Sequence, residues 1–152
     1  KSDLVQDECD SRFLSYTAKN CVIFLLGSDT VEPEELSQAY MRVMEVFHEM
    51  GFKIFIKNHP NPEMRLILDS PLISQEIEAS IPAEAIVENF EWAVSAGSAA
   101  LRLFGASAIS ILNLCPEMEG ALRENRKAYL LELDSKINIP SSLEELQDVI
   151  RS

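Results

Sequence analysis

Three short polar segments carry most of the chemistry this sequence could do. Lys57-Asn58-His59-Pro60 follows an apolar run, Ile81-Pro82-Ala83-Glu84 opens a helical stretch, and Ser95-Ala96-Gly97-Ser98 joins another apolar run to a short helix. Lysine supplies a mobile positive charge, and a histidine can give a proton or hydrogen bond to an oxygen that gains charge as a bond breaks. Pro60 restricts His59 to an extended backbone, so the imidazole is presented by a constrained turn. The missing Cβ of Gly97 lets a ligand approach backbone N–H groups where the Ser98 helix begins and its dipole favours an anion. Glu84 offers an acceptor suited to a ribose diol. Taken singly, each segment equally fits a solvated strand end, an ordinary serine cap or a first-turn acid. Their combination points to a phosphorylated ligand.

The elements that must position these groups follow from the apolar pattern. Residues 21–26 form a continuous apolar run that stops at Gly27-Ser28-Asp29, the pattern of a strand buried on both faces. Residues 33–50 repeat apolar side chains at spacings of three and four, with Glu32, Glu34 and Glu35 near the start, and so predict an amphipathic helix. Gly51 then closes that helix and residues 52–56 give a second strand, completing a βαβ unit. Between 61 and 81 helix and strand cannot be separated by pattern. Further on, the sequence predicts a helix over 82–89, strands over 91–95 and 108–112 with a helix over 98–104 closed by Gly105 between them, a helix or turn over 117–127, and a fifth strand over 129–133. A final helix over 142–150 takes Ser141 or Ser142 as its cap. The expected fold class is α/β: an open, mostly parallel, Rossmann-like sheet with helices on both faces. In such a sheet ligands bind beyond the carboxyl ends of the strands, where all three polar segments fall.

Composition narrows the partners. With 152 residues, 47% of them hydrophobic, the chain can bury a core as one domain, expected over 21–152 with residues 1–20 as a lead-in from a region upstream. Thirteen Lys and Arg against 25 Asp and Glu give a net charge of −12, which argues against a nucleic-acid surface and requires any anion to be held locally. The odd number of cysteines, Cys9, Cys21 and Cys115, lacks the spacing of a zinc site or disulfide framework and fits a reducing compartment. No transmembrane segment or signal peptide is indicated, so the expected location is cytoplasmic, peripheral to the inner membrane in a longer protein. No GxGxxG, Walker loop, GxSxG or HExxH is present, and no metal site is expected.

The order Lys57-x-His59-Pro60, Ile81-Pro82-x-Glu84 and the Ser98-bearing strand-to-helix turn resembles the donor-binding, C-terminal half of bacterial sialyltransferases and polysialyltransferases of the GT-B fold, over about residues 21–115. The resemblance implies a cytidine monophosphate (CMP) sugar as donor substrate, with no cofactor. It implies that Lys57 contacts the cytosine, that His59 reaches the phosphate and helps it leave, and that Glu84 binds ribose hydroxyls. Ser98 and nearby amides would grip the phosphate, and Gly27, Ser28, Pro60 and Gly97 would line the cleft. One departure stands out: the family pairs two adjacent hydroxyl residues in its serine motif, and the first position here is Gly97. The resemblance also implies that the glycan acceptor and the general base reside on an N-terminal half, without which this chain would be inactive. Two alternatives remain: a non-catalytic α/β regulatory or interaction domain such as a receiver-like module, and a half of an enzyme using a uridine diphosphate (UDP) sugar, or an epimerase relative. Donor sugar, acceptor, linkage and oligomeric state are not legible in the sequence.

Overall fold

The structure, a computed structural model, describes residues 19–27, 33–115 and 120–152, so the expected lead-in and Ser28 fall outside the described residues except for Lys19 and Asn20. Five strands, β1 (Cys21–Leu25), β2 (Lys53–Lys57), β3 (Ile73–Ile77), β4 (Trp92–Ser95) and β5 (Ala108–Ser110), form one sheet in the order β3-β2-β1-β4-β5. Every pairing is parallel. The chain runs outward from β1 to β2 and β3, then crosses back to β4 beside β1 and on to β5. Right-handed crossovers put the first connections on one face and the later ones on the other. Helix α1 (Pro33–Glu49) packs against the C-terminal helix α3 (Leu143–Arg151), while α2 (Gly120–Leu133) packs against the 3-10 segment Ala99–Ser107. This is the Rossmann strand order, with its topological switch between β1 and β4. It is not the 2-1-3-4-5 order that a receiver-like module would show.

Burial on both faces explains the apolar runs. All five residues of β1 are buried, and Phe24 meets Tyr40 and Phe47 of α1 edge-on at ring-centroid distances of 6.0 and 5.9 Å. The end of α1 is fixed as its sequence suggests. Gly51 takes φ +90°, its N–H donates to His48 O, and the Phe52 N–H donates to Phe47 O. That bond pattern, with Phe52 stacked edge-on against Phe47 at 5.2 Å, is a Schellman closure that turns the chain into β2.

Three departures from the sequence reading have physical causes. Residues 129–133 are not a strand but the last turns of α2, in which Leu130 is fully buried while Tyr129 and Leu131 face outward. A five-residue stretch with four apolar side chains, Tyr129-Leu-Leu-Glu-Leu133, looks like a strand when read alone even inside a helix. The sheet edge beside β5 is instead met by Asn138, whose backbone exchanges hydrogen bonds with Ala108 O and Ser110 N at 2.9 and 2.8 Å. Secondly, the ambiguous stretch contains β3, an edge strand exposed at Ser74, Gln75 and Glu76, so no apolar alternation marks it. Thirdly, the helix expected over 82–89 is two 3-10 turns, Ala83–Ala85 and Val87–Asn89, neither with a side-chain cap.

Two features match their expectation. Ser142 caps α3 by accepting from Glu145 N, and the Glu145 side chain accepts from Ser141 N. Gly105 breaks the 3-10 segment at φ +53°, ψ −124°, a conformation that L side chains rarely adopt. Gly105→Ala is expected to lower stability by about 1–3 kcal/mol in urea unfolding; an unchanged midpoint would show that this turn relaxes freely. The thiols Cys21 and Cys115 are buried core groups, and desolvation pushes Cys115 up to about 11, well away from thiolate reactivity.

Candidate functional site

Lys57 ends β2 with its side chain buried, and its Nζ donates to Ala79 O at 3.1 Å. Burial lowers its pKa from the usual lysine value, and the nearby Glu84 carboxylate opposes that shift. The ammonium thus ties β2 to the loop that leads to Glu84.

The next residues form a clamped turn. Asn58 Oδ1 accepts from the N–H groups of His59 and Leu66 at 3.1 and 2.9 Å, and Asn58 Nδ2 donates to Leu66 O at 2.8 Å. Arg65 donates from Nε to His59 O and from Nη2 to Pro60 O. With its backbone held on both sides, His59 has its ring fixed as well, because the Asn61 N–H donates to Nδ1 at 3.0 Å. A neutral imidazole accepting at Nδ1 carries its proton on Nε2, so the turn sets the tautomer that leaves a donor for a ligand.

Across the switch point, buried hydroxyls shape the loop after β4. Ser95 Oγ donates to Leu25 O at 2.8 Å and accepts from Ser98 N at 3.3 Å. Tyr40 donates to the same Leu25 O and accepts from Ala96 N at 2.9 Å. Ser110 Oγ donates to Ala96 O at 2.7 Å, and Ser98 Oγ accepts from Ala100 N. The N–H groups of residues 96, 98 and 100 are therefore taken. Among the described residues, the N–H groups of Gly97 and Ala99 donate to no protein acceptor. Tyr40→Phe is expected to strand the Ala96 N–H and cost about 1–3 kcal/mol of stability in chemical denaturation. A difference under about 0.5 kcal/mol would mean that water takes over the bond.

Two cavities meet along this rim. One, of about 300 Å³, opens between the ends of β1 and β4 and is lined by Gly27, Tyr40, Ser95, Gly97 and the α2 residues Arg126 and Tyr129, among others. The other, of about 370 Å³, lies toward β2 and is lined by Lys57, Pro60, Ser80, Ile81 and Glu84. Leu25, Leu26, His59, Ser98 and Ala100 line both, so His59 and Ser98 are the polar side chains the two cavities share. Gly27 lies beside the imidazole: a Cβ built there would stand 3.7 Å from His59 Cδ2. Hence every residue singled out in the sequence and described in the structure borders one of the two cavities; Ser28 lies outside the described residues.

Sequence reasoning passed over Tyr40, Arg126 and Tyr129. Tyr40 sits on an apolar helix face and shows only its hydroxyl to the site, which no pattern reveals. Arg126 and Tyr129 are three residues apart on α2, but the reading of a helix or turn over 117–127 and a strand over 129–133 put them on different elements. The basic cluster Arg123, Arg126 and Lys127, unusual in so acidic a chain, was the available signal. No helix among the described residues is long and apolar enough to cross a membrane.

No family model and no curated protein matches the chain. Among solved structures it is similar to the glycosyltransferase SnogD from Streptomyces nogalater, at 15% identity and a TM-score of 0.42, over 88% of this chain and 43% of that one. The chain thus spans less than half the length of that structure.

Proposed function

We propose that this chain is the donor-binding half of a glycosyltransferase that takes a CMP-sugar of the sialic-acid type and serves surface polysaccharide or lipopolysaccharide synthesis. The supporting observation is that His59 and Ser98 border both cavities, one of which is also bordered by Glu84 and the other by Gly97. In this reading the nucleoside occupies the cavity at Lys57 and Glu84, with the Glu84 carboxylate accepting from ribose hydroxyls. The phosphate lies where the two cavities share their lining, against His59 Nε2–H, Ser98 and the N–H groups of Gly97 and Ala99. The transferred sugar extends into the cavity between β1 and β4.

The reaction follows from that placement. The bond between the anomeric carbon and the phosphate oxygen breaks, and its electron pair stays on that oxygen. An acceptor hydroxyl oxygen forms the new glycosidic bond, and its proton passes to a base on a partnering domain that also brings the acceptor. This chain supplies fixed donors aimed at the oxygen that gains charge, which need no reorganisation as the bond breaks. The Asn61 N–H holds His59 in the donating tautomer throughout, and the hydroxyl network fixes the loop that carries Gly97 and Ala99 by taking the N–H groups of Ala96 and Ser98. No cofactor enters this scheme.

Calorimetric titration with CMP and UDP tests the reading. CMP is expected to bind more tightly than UDP, weakly because half of a two-domain cleft is absent. A preference for UDP would move the proposal to a UDP-sugar enzyme, and binding of neither nucleotide would favour a non-catalytic interaction domain.

A further inference from the structure

Lys57 puts a charge at a buried position of the sheet. It is the last residue of β2, a strand flanked by β1 and β3, and it is 7% exposed. An ammonium taken out of water requires a fixed partner, and the Ala79 carbonyl accepts from Nζ at 3.1 Å. Ala79 lies two residues past Ile77, which pairs with Lys57 in the sheet. The bond therefore reaches from β2 into the segment that leaves β3.

That segment, residues 78–85, has little to hold it in place from within. None of its residues is buried, and its internal bonds are local, from Ile81 N–H to Glu78 O and from Ala85 N–H to Pro82 O. The 3-10 turn Ala83–Ala85 that carries Glu84 lacks a side-chain cap. Lys57, Ala79 and Glu84 all border the cavity of about 370 Å³. The Glu84 carboxylate is also close enough to the ammonium to oppose the lowering of the Lys57 pKa by burial. Lys57 thus acts on Glu84 in two ways, through the backbone at Ala79 and through its charge.

We propose that Lys57 is a positioning residue for Glu84: its ammonium holds the 79–84 segment by the Ala79 carbonyl, turns the carboxylate to the ribose diol and so makes the site selective for ribonucleotides over 2′-deoxyribonucleotides. This rests on the nucleotide-donor reading above and deepens it. It also assigns Lys57 a role other than the direct cytosine contact that the family resemblance implies. The ammonium is then spent on the protein, and the carboxylate it steadies does the recognition, accepting from the 2′ and 3′ hydroxyls.

Affinities of CMP and 2′-deoxy-CMP for the wild-type chain, Glu84→Gln, Lys57→Met, Lys57→Arg and the Lys57→Met, Glu84→Gln double variant test it. Wild type is expected to bind CMP about tenfold more tightly than 2′-deoxy-CMP. Glu84→Gln should erase most of that ratio. Lys57→Met should erase it to the same extent while 2′-deoxy-CMP stays within about twofold, and the double variant should lose no more than either single one, as residues acting as a unit do. Lys57→Arg keeps a cation with N–H donors and should recover part of the ratio. An ammonium that touches the base, or a general loosening of the site, would instead weaken both nucleotides alike and leave the ratio near tenfold. That result in either Lys57 variant would overturn the inference, so the decision stands on Lys57→Arg if circular dichroism shows Lys57→Met unfolded. Equal wild-type affinity for the two nucleotides would overturn it as well and leave the nucleotide site standing. Failure of wild type to bind either would end both.

Discussion

Replacing His59 by alanine is expected to weaken CMP binding by roughly ten- to a hundredfold while the chain stays folded, because the loss is that of a hydrogen bond to a charged phosphate. The fold should tolerate the change, since the turn is held by Asn58 and Arg65 rather than by the imidazole. Two further variants separate the ring's two nitrogens. His59→Asn keeps an acceptor near Nδ1 for the Asn61 N–H but loses the donor at Nε2, and should bind as poorly as alanine. His59→Gln places an amide near Nε2 and should retain part of the affinity. In a reconstituted enzyme with its acceptor domain, turnover of His59→Ala is expected to fall by about 10²–10³, the usual cost of removing one donor to a developing oxyanion. Equal CMP affinity across the three variants and wild type would remove His59 from the site.

Gly97→Ala is the second large effect, and its interest lies in the contrast between stability and binding. Among the described residues a Cβ built at Gly97 meets only the Arg126 Cδ, at 4.0 Å, and Gly97 is not among the residues with positive φ. The protein itself therefore has no use for the missing side chain. Alanine should leave stability unchanged or raise it by about 0.4–1 kcal/mol through the unfolded chain. The space that Cβ fills is cavity, and if the proposed phosphate site is right, CMP affinity should drop at least about tenfold. A variant that is both stable and fully competent in binding would show that the glycine is not there for the ligand.

Much of the sheet was legible because strands buried on both faces write continuous apolar runs: β1, β2 and β4 fall where 21–26, 52–56 and 91–95 predict. The edge strand β3 was not, since an exposed edge places no apolar demand on Ser74, Gln75 or Glu76. Residues 129–133 misled for the opposite reason, as a helix buried at Leu130 can carry apolar neighbours without using them as a strand would. The residues that border the two cavities were legible at the strand ends, where polar residues interrupt apolar runs at Lys57-Asn58-His59 and Ser95-Ala96-Gly97-Ser98. What could not be read was how the ends are held. Asn58, Tyr40 and Ser110 make contacts across 8, 56 and 14 residues of sequence, and no local pattern encodes such partners.

The central claim is that segments distant in the chain converge on one nucleotide phosphate at the β1–β4 switch. Backbone amide shifts in a nitrogen-15 correlation spectrum, followed during titration with CMP, test it most directly. The amides of Gly97 and Ala99 are expected to move downfield together, in step with those of the turn at 58–61 and with a single saturation curve. Shifts confined to another face of the molecule, or a spectrum unmoved by CMP at saturating concentration, would contradict it.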